Sequence, residues 1–131
     1  MKKLNLASTA LLNKMVSLMK DGYIKIDNTN GSFMPVSVEQ IFESDKYKIF
    51  SVAHYFEQNG DLMADPEMCF IQIKTSGDYF PSYYKQDSIG MEQESIIMAG
   101  GVIKGVRIIQ QLEHSVFANM WLKNIKDQQN L

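Results

Sequence analysis

From Tyr47 to Phe56 the chain reads YKIFSVAHYF. In an extended strand this run is apolar on both faces, with Tyr47, Ile49, Ala53 and Tyr55 on one and Phe50, Val52 and Phe56 on the other. A strand with one wet face alternates apolar and polar residues, so two apolar faces place this one inside a sheet, covered on both sides at least in part. The rest of the chain must therefore supply neighbouring strands and covering layers. A length of 131 residues supports one core, because two separate cores would each be marginal. The expectation is a single domain over residues 4–128, with flexible termini at 1–3 and 129–131.

In residues 5–20, Leu11, Leu12, Met15, Val16, Leu18 and Met19 recur at three- and four-residue spacing, the period of an amphipathic helix. Asn5 or Ser8 can cap its start and Gly22 can end it. YIKID and FMPVSV read as a hairpin joined through NTNG, with Pro35 confining the second arm to an edge or to a start near Val36. EQIFESDK reads as a polar connection. Further on, MCFIQIKT alternates Cys69, Ile71 and Ile73 with Phe70, Gln72 and Lys74, and SGDY turns into YFPSYYK, an edge-type strand because Pro81 has no N–H to donate. AGG at 99–101 reads as a hinge or the start of a helix. From about Lys104 to Lys126, the residues Ile109, Leu112, Val116, Phe117, Met120, Trp121 and Ile125 read as one apolar stripe, with His114 on the solvated face and DQQNL as a frayed tail. The order predicts an α+β fold: an antiparallel sheet of about five strands with an N-terminal and a C-terminal helix packed on one face.

A formal net charge of −2 is far from the basic footprint that nucleic-acid binding normally demands. No apolar run approaches the roughly 20 residues that cross a bilayer. The opening MKKLNLASTALLNKMVSLMK is interrupted by Asn5, Ser8, Thr9, Asn13 and Lys14, so it reads as a cytoplasmic amphipathic helix rather than an export signal. Cys69 is the one cysteine, which excludes an internal disulfide or a cysteine zinc site within the chain, and its place in MCFIQI reads as core packing.

Chemistry concentrates in HYFEQNGDLMADPEM, residues 54–68, which hold four carboxylates and a histidine and no lysine or arginine. Oxygen-rich clusters suit hard cations, so Glu57, Asp61, Asp65 and Glu67 are candidate ligands for magnesium, manganese or calcium, with His54 as a nitrogen ligand or base. The competing reading is an ordered turn in which Asn59 and Gly60 reverse the chain and Asp61 and Asp65 bond nearby backbone donors. A second acidic patch, Asp87, Glu92 and Glu94, bears on the first only if it folds against it. DPEMCFIQIK has a superficial likeness to metal-dependent nuclease motifs, but Asp65 and Lys74 on one strand would lie about 30 Å apart. No glycine-flanked serine elbow and no phosphate-binding loop is present. Tyr79, Tyr83 and Tyr84 could stack single-stranded bases, with only Lys74 and Lys85 nearby to track phosphates.

The stretches HYFEQNGDLMADPEMCF, YYKQDSIGMEQE and WLKNIKDQQ together resemble an uncharacterised domain-of-unknown-function family found in small phage, plasmid and integrative-element proteins of bacteria. The resemblance covers most of residues 5–128. It implies a mobile-element accessory protein, with no activity or cofactor to carry over, and it marks Gln58, Asn59, Gly60, Asp61, Asp65, Glu67, Asp87 and Glu92 as the positions to test. Asn130 stands where the family pattern leads one to expect glycine.

The leading expectation is a non-enzymatic module that binds a host or mobile-element protein, an anti-defence role being one form, with no cofactor. Nine methionines suit an adaptable contact surface. The alternatives are a divalent-metal-dependent hydrolase using the acidic stretch and a single-strand nucleic-acid binder. A homodimer through an edge strand or the last helix is compatible with each.

Overall fold

The computed structural model describes residues 1–131. Helix α1 (Leu6–Ser17) starts at Asn5, whose side chain accepts the Ser8 N–H at 2.8 Å, and buries Ser8, Leu11, Leu12 and Met15. The chain leaves it through Asp21 and Gly22, both with positive φ, into β1 (Tyr23–Ile26). Then follow β2 (Val36–Glu43), β3 (Tyr47–Gln58), β4 (Asp61–Ile73), β5 (Tyr79–Gln86), a 3-10 turn (Asp87–Ile89) and β6 (Met91–Glu94). A short hairpin, β7 (Ile96–Ala99) and β8 (Val102–Val106), leads into α2 (Ile108–Gln128).

β1 to β6 form one antiparallel sheet in sequential order, and β7 and β8 form a separate two-stranded sheet. The α+β class and antiparallel pairing agree with the sequence, while the strand count is six plus two rather than about five. Two misread segments account for the difference. QDSIGMEQES, read only as an acidic patch, contains β6. AGGVIKG, read as the start of a helix, is a hairpin: Gly100 and Gly101 take φ of 61° and 77°, the paired left-handed turn that suits a two-residue loop. α2 therefore starts at Ile108, later than the periodicity suggested.

β3 sits in the interior of the large sheet, between β2 and β4. Its two faces meet different partners. On one, Phe50 stands opposite Phe70 and Val52 opposite Met68. These four join Val36, Val38 and Tyr79, Leu11, Leu12 and Met15 of α1, and Ala118, Trp121, Leu122 and Ile125 of α2 in a single buried cluster. We call this the core face. On the other, outer face, Ser51 stands opposite Cys69 and Ile49 opposite Ile71. That face is partly roofed by the β7–β8 hairpin, where a Cβ placed on Gly101 would come 3.4 Å from the Phe42 ring.

α2 departs from its predicted stripe. It buries Gln111, His114, Ser115, Ala118, Trp121, Leu122 and Ile125, whereas Ile108, Ile109, Val116 and Met120 are 55% to 74% exposed and Leu112 is 48% exposed. The predicted stripe had merged two sides of the helix. Buried glutamines set which side turns in. Gln111 accepts the Lys2 N–H at 2.6 Å and donates to Lys2 O at 2.7 Å, a strand-like pair that anchors the chain start. Gln129, read as part of a frayed tail, is fully buried: it accepts the Asn28 N–H at 2.8 Å and donates to Met34 O at 3.0 Å. His114, expected in solvent, is buried and stacked on Tyr84, with Nδ1 2.8 Å from Ser95 Oγ and Nε2 2.9 Å from Gln93 Oε1. Its neighbours want opposite roles, so Nε2 carries the proton and Nδ1 accepts from the Ser95 hydroxyl.

Two tests follow from these bonds. Gln111→Ala takes the partner from the Lys2 N–H, while Lys2 O keeps its bond from Ser115 Oγ at 2.7 Å, and should lower the unfolding free energy by roughly 1–3 kcal/mol in urea titration. Burial holds His114 below its ordinary pKa, with Glu113 pulling weakly the other way. The unfolded chain therefore binds that proton more tightly, so the contribution of His114 is complete above about pH 6.5 and is lost as pH falls through its lowered folded value. Stability should drop more steeply between about pH 7 and pH 5 in the parent than in His114→Gln, measured by urea unfolding at each pH.

Candidate functional site

The acidic stretch is a hairpin, not a long turn. Asn59 (φ 54°) and Gly60 (φ 83°) reverse the chain in two residues, as expected of them, and pairing resumes at once with Gln58 opposite Asp61 and Glu57 opposite Leu62. Glu57, Gln58, Asn59 and Asp61 lie exposed at its tip. The two acidic patches do meet, through Asp65 and Asp87. Asp87 accepts the Ala64 N–H through Oδ2 at 2.7 Å and forms an ion pair with Lys85 through Oδ1 at 3.5 Å, while Ser88 Oγ donates to Asp65 Oδ1 at 3.1 Å. These bonds tie the 3-10 turn to β4.

His54 is on the opposite side of the sheet from Glu67. Its Nδ1 is 2.9 Å from Pro35 O and its ring meets Trp121 edge-on at 5.6 Å, under α2. Glu67 points to the outer face, where its Oε2 accepts from Ser51 Oγ at 2.5 Å. Glu92, on β6, stands opposite Lys85. The candidates Glu57, Asp61, Asp65, Glu67 and His54 are thus dispersed, and nowhere do three or more His, Cys, Asp or Glu side chains converge as a metal site would require. Asp65, Gln72 and Lys74 fall along β4 and its end, as the strand reading required. The three tyrosines do not share a surface: Tyr79 is buried and donates to Asn13 Oδ1, Tyr84 packs on Phe117, and Tyr83 lies on the outer face.

What sequence reasoning missed is a cleft of about 380 Å³ between β7 and the outer face. Ile49, Cys69 and Ile71 form its floor, Ile41, Ile96 and Met98 its apolar walls, and Glu67, Tyr83, Ser82 and Glu94 its polar side. Its volume falls in the lower part of the range of ordinary ligand pockets. Period-two alternation places Cys69 and Ile71 on one face, but the sequence reading assigned no strand to Ile96–Met98, so nothing marked the wall.

The cleft carries a negative field. Burial pushes the Cys69 thiol up to about 12, and the Glu67 carboxylate adds to that shift. The Tyr83 phenol is raised by burial, then by Glu92 and Glu67, and Tyr55 by burial, then by Glu67 and Glu39. At neutral pH Cys69 therefore stays a thiol and is no nucleophile. Neither histidine lines the cleft.

The exposed ridge of α2 is the second surface of interest. Successive fourth residues Ile108, Leu112, Val116 and Met120 stack along one side of the helix. The charges around it are mixed, with Arg107 at its start, Glu113 beside it and Lys123 beyond Met120.

No helix is long and apolar enough to cross a membrane. Comparison with curated proteins and with solved structures finds no match. A family model does match residues 7–131, nearly the whole chain, and by it the protein belongs to DUF6908, a family of domains of unknown function.

Proposed function

We propose that this protein is a non-enzymatic binding module that docks a protein partner on the outer ridge of α2. The observation that carries this reading is the ridge itself. A helix packed on a domain normally turns its apolar side inward and leaves charges outside. Here four apolar side chains at four-residue spacing, with Ile109 beside them, are exposed. Contiguous exposed apolar surface of this kind marks protein contacts, and an i, i+4 ridge is the feature that interdigitates with a partner helix.

In the setting implied by the sequence resemblance, the partner is a host or mobile-element protein, and interference with a defence system is one form of the function. A second copy of the chain fits the same ridge, because two antiparallel α2 helices would set Ile108 against Met120 and Leu112 against Val116. The hydrolase and nucleic-acid readings gain no support from the dispersed acids or the divided tyrosines.

The test is a triple substitution, Leu112→Lys, Val116→Lys and Met120→Lys. All three side chains are exposed, so each should change stability by no more than about 0.5 kcal/mol. The parent should capture a specific partner from host lysate, or sediment as a dimer, and the variant should lose that association at least about tenfold while keeping its circular dichroism and unfolding midpoint. Retained association in the folded variant would move the docking surface elsewhere.

A further inference from the structure

We infer that the cleft between β7 and the outer face of the sheet binds a small organic cation, an amine with an apolar body. The cleft is on the opposite side of the sheet from α2, and this reading does not depend on the docking ridge.

The walls dictate the body. Ile49, Ile71, Ile96 and Met98 offer an apolar slot, and at ~30 Å³ for each water-sized unit a cleft of about 380 Å³ holds a ligand of roughly a dozen heavy atoms. The polar side dictates the head. Glu67 uses one oxygen on the Ser51 hydroxyl, leaving Oε1 without a hydrogen-bond partner in the protein, and the Glu94 carboxylate has none. The protein's three ion pairs, Lys3–Asp78, Lys74–Glu43 and Lys85–Asp87, involve neither carboxylate. Lys85 is the neighbour of Glu67 and of Glu92 in register, yet its ammonium is 3.5 Å from Asp87 instead. Every lining group is apolar, a hydroxyl, a thiol or an acid, and none is basic. An anionic ligand would meet carboxylates with no donor of opposite charge. A neutral one would leave them unmatched, whereas an ammonium supplies the missing donors in a site where partial burial makes them count.

The raised pKa values of Cys69, Tyr83 and Tyr55 are in keeping with this, because Glu67 contributes to each of them. Burial is the larger cause in each case, and of the three groups Cys69 and Tyr83 line the slot itself.

The experiment compares three probes with one hydrocarbon body: phenylbutylamine, phenylbutanol and phenylbutyrate. Amide and methyl resonances are followed in the full-length protein. The amine should shift Cys69, Ile71, Ile96 and Met98 saturably, the alcohol should bind about tenfold more weakly, as expected for loss of a charge-assisted bond, and the carboxylate should produce no saturable shift. Glu67→Gln should bring the amine down to the affinity of the alcohol. Glu94→Gln, at an exposed position that leaves folding intact, should weaken the amine and spare the alcohol. Equal binding of amine and alcohol would reduce the cleft to an apolar crevice and overturn the inference. So would amine shifts confined to other residues, or the absence of saturable binding in the folded protein.

Discussion

A central strand that is apolar on both faces has to be covered twice, and the architecture follows from how that is done. On the core face, Phe50 and Val52 of β3 pair with Phe70 and Met68 of β4 and meet the buried residues of α1 and α2. On the outer face, Ile49, Ala53, Cys69 and Ile71 need cover as well, and burying an aliphatic side chain of this size contributes about 1.5–3 kcal/mol. A hairpin with strands of four and five residues supplies it. Such a short roof cannot close over strands of twelve and thirteen residues. The cleft is the part of the outer face that the hairpin leaves uncovered, so its apolar floor is a continuation of the cover that the sheet requires.

α2 shows a different balance. Its buried side includes Gln111, His114 and Ser115, while Leu112, Val116 and Met120 face out. Hydrophobic burial alone does not choose this rotation, since aliphatic residues occur on both sides. Directional bonds do. Gln111 completes the backbone of Lys2, His114 bridges Ser95 and Gln93, and Gln129 holds the loop before β2 through Asn28 and Met34. Turning the ridge inward would strand those groups, at about 1–3 kcal/mol for each buried donor or acceptor left unpaired. Between them, His54, Trp121, Phe117, Tyr84 and His114 form a continuous row of aromatic contacts along the inner side of the helix.

The central strand, the Asn59–Gly60 reversal and the N-terminal helix were legible because each depends on local signals: period, turn chemistry and caps. The AGG hairpin was not, because Ile96, Ile97 and Met98 before it and Val102 and Ile103 after it carry apolar residues that suit either a strand or a helix. The face of α2 was not legible either. Hydrophobic periodicity weighs Leu112 and Trp121 alike, and nothing local reveals that Gln111 and His114 have buried partners far along the chain. The acidic stretch was legible as a concentration of carboxylates but not as their allocation, which depends on β3 and β4 facing their residues to opposite sides and on Asp87 returning to Ala64.

That allocation separates structural acids from available ones. Asp65 and Asp87 are engaged by Ser88, a backbone N–H and Lys85, and they hold the turn before β6 against β4. Glu67 is half engaged, and Glu92 and Glu94 stand on β6 without ion pairs at the margin of the cleft. A net charge of only −2 is thus compatible with a strongly acidic patch, since the balancing lysines lie elsewhere. The two surfaces left open by the fold differ in chemistry and point in opposite directions: an aliphatic ridge outside α2 and an acid-rimmed apolar slot beyond the sheet. A protein covering the ridge would leave the slot accessible, so occupancy of one need not exclude the other. β3 and β4 both run between them, carrying Phe50, Val52, Met68 and Phe70 to the helices and Ile49, Cys69 and Ile71 to the slot.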